Sequence, residues 1–203
     1  MTRSKRVFDL LASVGGLLLL SPLLLIIGVA IKAGDGGSIL FAHERVGRDG
    51  QTFRLLKFRT MVAGAQGIGP ELTVGGDPRI TPIGRVLRRA KLDELPQLVN
   101  VARGEMSLVG PRPEIPKYVA MYTPAQRRVL ALMPGITDPA SAEYVDEAER
   151  LARAEDPERA YIEEIMPRKL QLNLAYAETA TLQSDIATIL RTLRRLAGAR
   201  GAA

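Results

Sequence analysis

The sequence lacks cysteine and tryptophan, and its one histidine is His43. Without cysteine the chain has no disulfide framework and no thiolate chemistry. A single histidine excludes a multi-histidine metal site and leaves one candidate for a histidine-based proton relay. Aromatic residues make up only 4%, which argues against the base-stacking surfaces that hold single-stranded nucleic acids.

The bulk composition predicts one domain with a polyanionic partner. A chain of 203 residues is long enough for one core and short for two. The hydrophobic content of 46% is ordinary for a globular protein. The net charge of +6 favours nucleic acid, anionic lipid or phosphorylated substrates as partners, and an apolar N-terminal segment decides among them.

Residues 10–31 contain no charged side chain over 22 positions. As a helix this segment is about 33 Å long, which is enough for a hydrocarbon core of roughly 30 Å. A cleaved signal peptide is disfavoured because the segment is too long and no small-residue cleavage site follows it. Two interpretations stay open: a transmembrane span, and a broken helix that enters and leaves the membrane on one side.

Two features favour the re-entrant course. Ser21-Pro22 lies in the middle of the apolar segment, where proline removes a backbone hydrogen bond and a serine hydroxyl can satisfy the carbonyl that is freed. Lysine and arginine flank both ends of the segment, and such residues mark the cytoplasmic side. These cations are Arg3, Lys5 and Arg6 before the segment, and Lys32, Arg45 and Arg48 after it.

Short elements follow the apolar segment. Residues 38–42 and 52–56 are apolar runs around the turn-forming Arg48-Asp49-Gly50, which predicts a β-hairpin. Residues 63–80 are rich in glycine and proline and predict a loop, which is not a P-loop because no Gly-Lys-Ser/Thr follows. From Ile83 the apolar spacing becomes helical, and the arginines around it indicate a helix lying on anionic lipid.

The C-terminal segment carries an apolar stripe at helical spacing, with arginines on its other side. Such a stripe packs on the core, lies on the membrane or pairs with a second subunit. We expect core or membrane packing, and a homodimer stays open. The stripe consists of Leu182, Ile186, Ile189, Leu190, Leu193 and Leu196.

The adjacent carboxylates Asp93 and Glu94 are the centre of the functional argument. Neighbouring residues lie about 100° apart on a helix, so two carboxylates share one task only at a helix end. Pro96 is tolerated in a first turn, which predicts a helix that starts near Asp93. Free amide groups there would favour anions and phosphate. Simple capping by Asp93 is the alternative that this motif alone leaves open.

Cations suited to phosphate occur in or beside the turn-rich motifs around this pair. Arginine is suited to bidentate phosphate contacts. Mg²⁺ is usually held by one or two carboxylates together with substrate phosphates. The combination predicts a Mg²⁺-dependent reaction on a diphosphate. The candidate phosphate-binding cations are Lys57, Arg59, Arg79, Arg88 and Arg112.

Seven motifs occur in order over roughly residues 3–137, and together they are highly specific. They are Lys5-Arg6-Val7-Phe8-Asp9, Ser21-Pro22, Lys57-Phe58-Arg59-Thr60-Met61, Asp77-Pro78-Arg79-Ile80-Thr81, Leu92-Asp93-Glu94-Leu95-Pro96-Gln97, Gly104-Glu105-Met106-Ser107-Leu108-Val109-Gly110-Pro111-Arg112-Pro113 and Pro134-Gly135-Ile136-Thr137. On these residues the chain resembles the bacterial sugar transferase family, the monotopic phosphoglycosyl transferases.

The resemblance implies an α+β, mostly helical fold and a location at the cytoplasmic face of the bacterial inner membrane. Residues 1–34 would form a re-entrant helix bent at Ser21-Pro22. Residues 35–203 would form the catalytic domain, with a small β-hairpin, interfacial helices and a C-terminal amphipathic helix.

The resemblance also implies a two-step reaction. Asp93 would attack the β-phosphorus of a UDP-sugar and release UMP, and undecaprenyl phosphate would then take the phosphosugar from Asp93. Glu94 would bind Mg²⁺, and Arg88, Pro111 and Arg112 would lie near the polyprenyl phosphate. Nearby cations should keep Asp93 ionised, since they favour the charged form.

Two departures from the family pattern concern donor recognition. His43 stands where many members have glutamine, and we expect a structural or substrate-positioning role for it. Residues 138–143 differ from the sequence that many members carry there, which affects nucleotide and sugar recognition more than the reaction class.

Three other functions are weaker. A non-catalytic membrane scaffold leaves the clustered acids and arginines unexplained. A prenyl-phosphate phosphohydrolase would use the same ions with water as the acceptor. Nucleic-acid binding is the weakest, because lipid and phosphates account for the cations.

Overall fold

The computed structural model describes residues 1–65, 68, 72–144 and 147–198. Within these ranges the chain is mostly helical with two small two-stranded sheets, which confirms the α+β prediction. The helices are α1 (Arg3–Asp35), α2 (Pro82–Arg89), α3 (Gln97–Arg103), α4 (Pro116–Val119), α5 (Pro124–Arg127), α6 (Pro139–Glu143), α7 (Glu147–Arg153), α8 (Pro157–Ala160), α9 (Met166–Thr179) and α10 (Leu182–Gly198). The strands are β1 (Leu40–Val46), β2 (Thr52–Phe58), β3 (Ser107–Val109) and β4 (Gly135–Thr137).

By length and composition, helix α1 could cross a membrane. Only 17% of its most apolar 18-residue stretch is buried in the protein. Pro22 lies inside the helix and has no amide hydrogen for the carbonyl of Leu18. The hydroxyl of Ser21 donates to that carbonyl at 2.8 Å. Ser21 thus satisfies the carbonyl that Pro22 leaves free, while the break at Ser21-Pro22 and the re-entrant course of the helix stay predictions.

The N-terminal end of α1 is bonded to the folded domain. Arg6 donates to the carbonyls of Val101 and Ala102, at 2.6 and 2.8 Å, and so satisfies the end of α3. Asp9 is fully buried and accepts from the amide of Leu108 at 3.2 Å. The motif that begins at Lys5 thus fastens the apolar helix to the domain.

The C-terminal end of α1 packs against the same domain. Ile27 and Ile31 form a buried cluster with Phe58 of β2 and Leu87 of α2. Arg59 donates to Asp35 from both terminal nitrogens, so the end of β2 is tied to the end of α1. Arg59 therefore has a structural role here, as the ion-pair partner of Asp35.

Strands β1 and β2 form the predicted hairpin, in a register that runs from Leu40↔Phe58 to Val46↔Thr52. The turn contains Asp49 at φ 56° and Gly50 at φ 77°, left-handed conformations that aspartate and glycine tolerate. The first strand extends to Val46 rather than ending at 42, because its polar residues also pair with β2. The sequence pattern did not indicate this extension.

Asn100 of α3 joins the hairpin to the helices. It is fully buried and donates to the carbonyl of Arg54 at 2.9 Å, while its side-chain oxygen accepts from the amide of Leu56 at 3.0 Å. Both contacts reach the open edge of β2. Nothing local in the sequence distinguishes this residue from a surface asparagine, so its role was not predictable from the sequence.

Helix α2 confirms the helical period predicted from Ile83. Thr81 caps it by accepting from the amide of Gly84 at 3.0 Å, and Pro82 occupies the first turn. Arg85 and Arg89 are exposed beside Val86, which is 61% exposed. The preceding loop falls partly outside the described residues, at 66–67 and 69–71.

Helix α10 turns its polar face inward, so core packing of its apolar stripe is wrong. Asp185 and Thr188 are buried, whereas Leu190 and Leu193 are 48% and 56% exposed. Asp185 pairs with Lys5 and accepts from Tyr176, and these polar contacts decide which face is buried. The membrane and homodimer alternatives stay predictions, and the side chain of Leu196 is outside the described part.

Candidate active site

Asp93 and Glu94 lie in a single 3₁₀ turn, Leu92–Glu94, between α2 and α3. Lys91, at φ 55°, separates this turn from α2. The predicted helix start near Asp93 is confirmed as this 3₁₀ turn only, since the α-helix α3 begins at Gln97 with Pro96 as its N-cap. Pro96 has no amide hydrogen to donate to Leu92, so α-helical bonding does not run through the turn.

Glu94 is buried between two cations. Arg112 donates to both carboxylate oxygens, with Nη1 at 3.2 Å from Oε2 and Nη2 on Oε1. Lys57 reaches Oε1 from β2 at 3.3 Å. Burial alone would raise the pKa of Glu94, but the charges of Arg112 and Lys57 hold it well below its usual range.

The pKa values of the two cations shift in opposite directions in this environment. Burial lowers the pKa of Lys57 to about 8, although the charge of Glu94 opposes the shift. The same carboxylate raises the pKa of Arg112, so the guanidinium stays charged. We call Glu94, Arg112 and Lys57 the acid–cation cluster.

Asp93 lies next to this cluster. Unlike Glu94, it has few stabilising contacts. Its side chain is buried, and Oδ1 has no hydrogen-bond partner within the described part of the chain. Burial and the negative charge of Glu94 raise the pKa of Asp93, against the opposing charges of Lys57, Lys91 and Arg88. Loss of hydration therefore outweighs the cations in setting the direction of this pKa shift, and the ionisation of Asp93 stays a prediction.

Arg112 is positioned by two glycines that bring backbone segments together. A Cβ on Gly110 would overlap the carbonyl oxygen of Met133, and one on Gly135 would overlap the backbone of Gly110. The carbonyl of Pro111 accepts from the amide of Gly135 at 2.9 Å. Pro111 thus acts through the backbone that holds Arg112.

Residues 138–143, which differ from the family pattern, help to fix the backbone of Arg112. Asp138 is 1% exposed and accepts from the amide of Arg112 at 3.3 Å, from the amide of Ser141 at 2.5 Å and from Asn173 at 3.0 Å. It caps α6, and the Asp138-Pro139 pair was a readable signal for a helix start.

The remaining predicted phosphate ligands divide into two groups. Arg88 donates to the hydroxyl of Thr60 at 2.8 Å, and its pKa, which burial lowers, responds to the charge of Asp93. Arg79 is bonded to Asp77 and to the carbonyls of Ala65 and Ile68. Arg88 therefore belongs to the surroundings of Asp93, whereas Arg79, like Arg59, holds the structure together.

His43 shares a face of the hairpin with Lys57 and Arg45, because their cross-strand partners are Leu55, Phe41 and Phe53. Its Nδ1 lies 3.3 Å from Nη2 of Arg45. Arginine only donates, so Nδ1 accepts and the ring proton is on Nε2. Burial, reinforced by Arg45 and Lys57, lowers the pKa of His43 to about 4.

The donor set fits Mg²⁺ only as an ion shared with substrate. No group of three or more acidic, histidine or cysteine residues is positioned for a metal in the described ranges. Oε1 of Glu94 already accepts two hydrogen bonds and Oε2 accepts one, which leaves one acceptor position on Oε2, and Oδ1 of the neighbouring residue Asp93 has no partner among the described residues. Mg²⁺ accepts such a site when phosphate oxygens and water complete its shell.

A family model described as bacterial sugar transferase matches residues 1–199. The chain belongs to the bacterial sugar transferase family. This assignment confirms the resemblance found in the sequence motifs, and these motifs form the turn, the cation cluster and the glycine contacts described above.

Relatives of the chain include proteins that are named as sugar-phosphate transferases. It is 36% identical over 203 residues to the UDP-glucose:undecaprenyl-phosphate glucose-1-phosphate transferase of Caulobacter vibrioides, covering 95% of this chain and 69% of that protein. It is 43% identical over 149 residues to the exopolysaccharide production protein ExoY of Sinorhizobium fredii, covering 66% of each chain. It is 39% identical over 148 residues to the undecaprenyl-phosphate galactose phosphotransferase of Salmonella typhimurium, and this match spans 31% of that protein.

Proposed function

We propose that the protein moves a sugar 1-phosphate from a UDP-sugar to undecaprenyl phosphate through a phosphosugar intermediate on Asp93. One observation carries the proposal: a buried carboxylate with an unpartnered oxygen lies next to a carboxylate that two cations hold. Several relatives are named as undecaprenyl-phosphate sugar phosphotransferases, which supports the same reaction class.

In the first step a carboxylate oxygen of Asp93 attacks the β-phosphorus of the UDP-sugar. The new bond joins this oxygen to phosphorus, the bond from the β-phosphorus to the bridging oxygen breaks, and UMP leaves with the bond's electron pair. Burial removes water from the Asp93 carboxylate, which raises its pKa and leaves its oxygen less stabilised and more reactive.

In the second step a phosphate oxygen of undecaprenyl phosphate attacks the same phosphorus. The bond between phosphorus and the Asp93 oxygen breaks, the carboxylate is restored, and the product is undecaprenyl diphosphate sugar. A covalent intermediate divides one difficult transfer into two displacements. Both displacements use the same side chain, so one substitution should stop both.

The acid–cation cluster supplies positive charge to both steps. Arg112 and Lys57 neutralise Glu94 and would also meet the phosphate oxygens of the substrates, and Arg88 would add charge on the side of α2. Glu94 would hold Mg²⁺ together with the diphosphate of the substrate. Bound there, Mg²⁺ supplies charge neutralisation on the diphosphate.

The proposed location is the cytoplasmic face of the bacterial inner membrane. Both ends of α1 are bonded to one folded domain, through Arg6 and Asp9 at one end and Asp35 at the other. A straight span would separate those ends by the membrane thickness, so these contacts support a course that returns to the same face. That arrangement keeps Asp93 near the phosphate of a lipid carrier and near cytosolic UDP-sugars.

The test separates the two half-reactions. With UDP-sugar, Mg²⁺ and labelled UMP but no lipid acceptor, the wild-type protein should exchange label into UDP-sugar. Asp93→Asn should abolish both this exchange and the phosphosugar adduct detected on the Asp93 peptide by mass spectrometry. Asp49→Asn, in the exposed hairpin turn, is the matched control and should behave as wild type. Exchange that survives Asp93→Asn would falsify the assigned role.

The same assay distinguishes the other functions. A phosphohydrolase would release free sugar phosphate or inorganic phosphate and make no lipid-linked sugar when undecaprenyl phosphate is added. A scaffold would catalyse neither exchange nor transfer. A panel of UDP-sugars in the exchange assay identifies the sugar.

A further inference from the structure

Glu114, Arg45 and His43 form a row of polar contacts, which we call the His43 network. Arg45 donates through Nη1 to Oε1 of Glu114 at 3.1 Å and through Nη2 to Nδ1 of His43 at 3.3 Å. The other carboxylate oxygen of Glu114 accepts from the hydroxyl of Tyr161. We propose that this network holds the imidazole in place and that its Nε2–H donates to a phosphate oxygen of the UDP-sugar. The inference rests on the proposed function, because it names a further contact for the donor of that reaction.

The His43 network fixes the orientation and the tautomer of the imidazole. Arginine has only donors, so the ring nitrogen that faces Arg45 accepts and the proton is on Nε2. Arg45 is itself held in place, because its Nη1 also donates to the carbonyl of Pro113 at 3.2 Å. The imidazole contacts the ring of Phe41, with the ring centroids 5.7 Å apart. The Nε2–H of His43 therefore points away from Arg45 in a defined direction.

This Nε2–H is available to a ligand. No described residue accepts from it, and the nitrogen is not closed off from solvent. His43 is partly buried, so the ring is not a freely mobile surface group. Polar groups that a protein holds in its interior are nearly always hydrogen-bonded. A fixed donor without a protein partner therefore points to a partner that comes from outside.

Strand pairing places His43 beside the acid–cation cluster. On this face of the hairpin His43 pairs with Leu55, and Phe41 pairs with Lys57, so His43 and Lys57 are diagonal neighbours. Diagonal neighbours lie about 7–8 Å apart, within reach of long side chains. Nζ of Lys57 lies 3.3 Å from Oε1 of Glu94. The free donor of His43 therefore belongs to the same side of the hairpin as the reacting carboxylates.

The charges around His43 favour an anionic oxygen as the acceptor. Burial lowers the pKa of His43 to about 4, and the positive charges of Arg45 and Lys57 lower it further in the same direction. The ring is therefore neutral and donates without adding another charge. Positive surroundings stabilise the anionic oxygens of a diphosphate more than the neutral hydroxyls of a sugar, which is why we commit to the phosphate.

The experiment removes the donor and then restores it. His43→Leu removes both the acceptor for Arg45 and the N–H for the ligand, whereas His43→Gln supplies an amide oxygen and an N–H in their place. Glu44→Leu is the matched control, because Glu44 is exposed and faces the other side of the hairpin. Each full-length variant is reconstituted in phosphatidylglycerol and phosphatidylethanolamine vesicles with Mg²⁺. The KM for UDP-sugar in UMP exchange and the equilibrium Kd of UDP are measured.

We expect His43→Leu to raise this KM and this Kd together, each roughly tenfold, which is the scale of one hydrogen bond to a charged group. His43→Gln and Glu44→Leu should keep both near the wild-type values. A raised KM with an unchanged Kd of UDP would place the contact on the sugar and overturn the inference. Unchanged values in His43→Leu, or equal losses in His43→Leu and Glu44→Leu, would overturn it as well. Absence of UMP exchange in the wild-type protein would instead refute the proposed function.

A second measurement on the wild-type chain does not depend on how the variants fold. His43 is the only histidine, so ¹⁵N-histidine labelling gives one Nε2 signal. UDP with Mg²⁺ should shift this signal, because UDP carries the phosphates and lacks the sugar. An Nε2 signal that stays unchanged at UDP concentrations above the measured Kd contradicts the inference.

Discussion

Arg112 donates from its two terminal nitrogens to the two carboxylate oxygens of Glu94, although 18 residues separate them in the chain. The carboxylate beside Glu94, that of Asp93, has no comparable support. Two adjacent acids therefore have opposite environments: one is held ionised by Arg112 and Lys57, and burial raises the pKa of the other. This difference matches the proposed roles, in which Asp93 is the nucleophile and Glu94 holds Mg²⁺.

Asp93 should be a residue that reduces stability in the absence of substrate. Its pKa is raised in the folded state, so the ionised carboxylate is less favourable there than in the unfolded chain. Asp93→Asn should therefore raise the melting temperature while it abolishes transfer. About 1 kcal/mol corresponds to roughly 2–4 °C in a domain of 150–250 residues, so a rise of a few degrees is expected.

Thermal unfolding against pH tests the sign of this effect. The native state binds the Asp93 proton at a higher pH than the unfolded state, so this group's contribution to stability falls as pH rises through its native pKa. The difference between wild type and Asp93→Asn should shrink at acidic pH. A variant that melts below wild type at pH 7 contradicts the prediction.

The contact between Arg112 and Glu94 should contribute to stability as well as to catalysis. Arg112→Met leaves Glu94 buried with Lys57 alone. Because the side chain of Arg112 is 32% exposed, water replaces part of the lost interaction, and we expect a loss of about 1–3 kcal/mol in the free energy of unfolding. Chemical denaturation of the detergent-solubilised protein measures it.

The matched control for Arg112 is an exposed ion pair on the helical surface. Arg159 and Glu163 are 71% and 58% exposed, so water screens the pair and Arg159→Met should leave the free energy of unfolding essentially unchanged. In a double-mutant cycle, Glu94→Gln should cost less in the Arg112→Met background than alone. Additive losses would mean that the two residues do not interact.

His43 should be neutral and protonated on Nε2 at physiological pH. It is the only histidine, so ¹⁵N-histidine labelling gives one ring for NMR. We expect the chemical shifts of the Nε2–H tautomer and a titration midpoint near the pKa of about 4 that burial produces. A midpoint near the usual value of 6.5 would contradict the burial described here.

The pKa of His43 also predicts a pH dependence of stability. Between about 6.5 and about 4 the unfolded chain binds a proton on this imidazole and the native protein does not, so stability falls as pH drops through that range. His43→Gln should lack this component. Activity in this variant should persist, since the side-chain oxygen of glutamine can accept from Arg45 as Nδ1 of His43 does.

Cysteine mapping tests the re-entrant course of α1 directly, because the chain contains no native cysteine. Thr2→Cys and Ser38→Cys place single thiols at exposed positions on either side of the helix. In sealed vesicles an impermeant maleimide should label both from the same side. Leu19→Cys, at a position that is 80% exposed in the middle of the helix, should react only after detergent is added.

Labelling of Thr2→Cys and Ser38→Cys from opposite sides would establish a transmembrane span. The proposed chemistry would then have to be reconciled with the contacts of Arg6 and Asp35, which reach one domain from both ends of α1.

The sequence by itself determined the features that local patterns encode. The apolar segment at 10–31, the hairpin turn at Arg48–Gly50, the helix that follows Thr81 and the adjacent acids were all readable from composition, spacing and turn chemistry. So was the family, because several short motifs in order are far more specific than any one of them.

Only the tertiary structure decided which cations meet Glu94. Lys57 and Arg112 pair with Glu94 although they lie 37 and 18 residues away in the chain. Arg59 and Arg79 pair instead with Asp35 and Asp77. It also decided the buried face of α10 and the direction of the Asp93 pKa shift. Burial and pairing arise from contacts between distant segments, and a local pattern carries no record of the hydration that a side chain loses on folding.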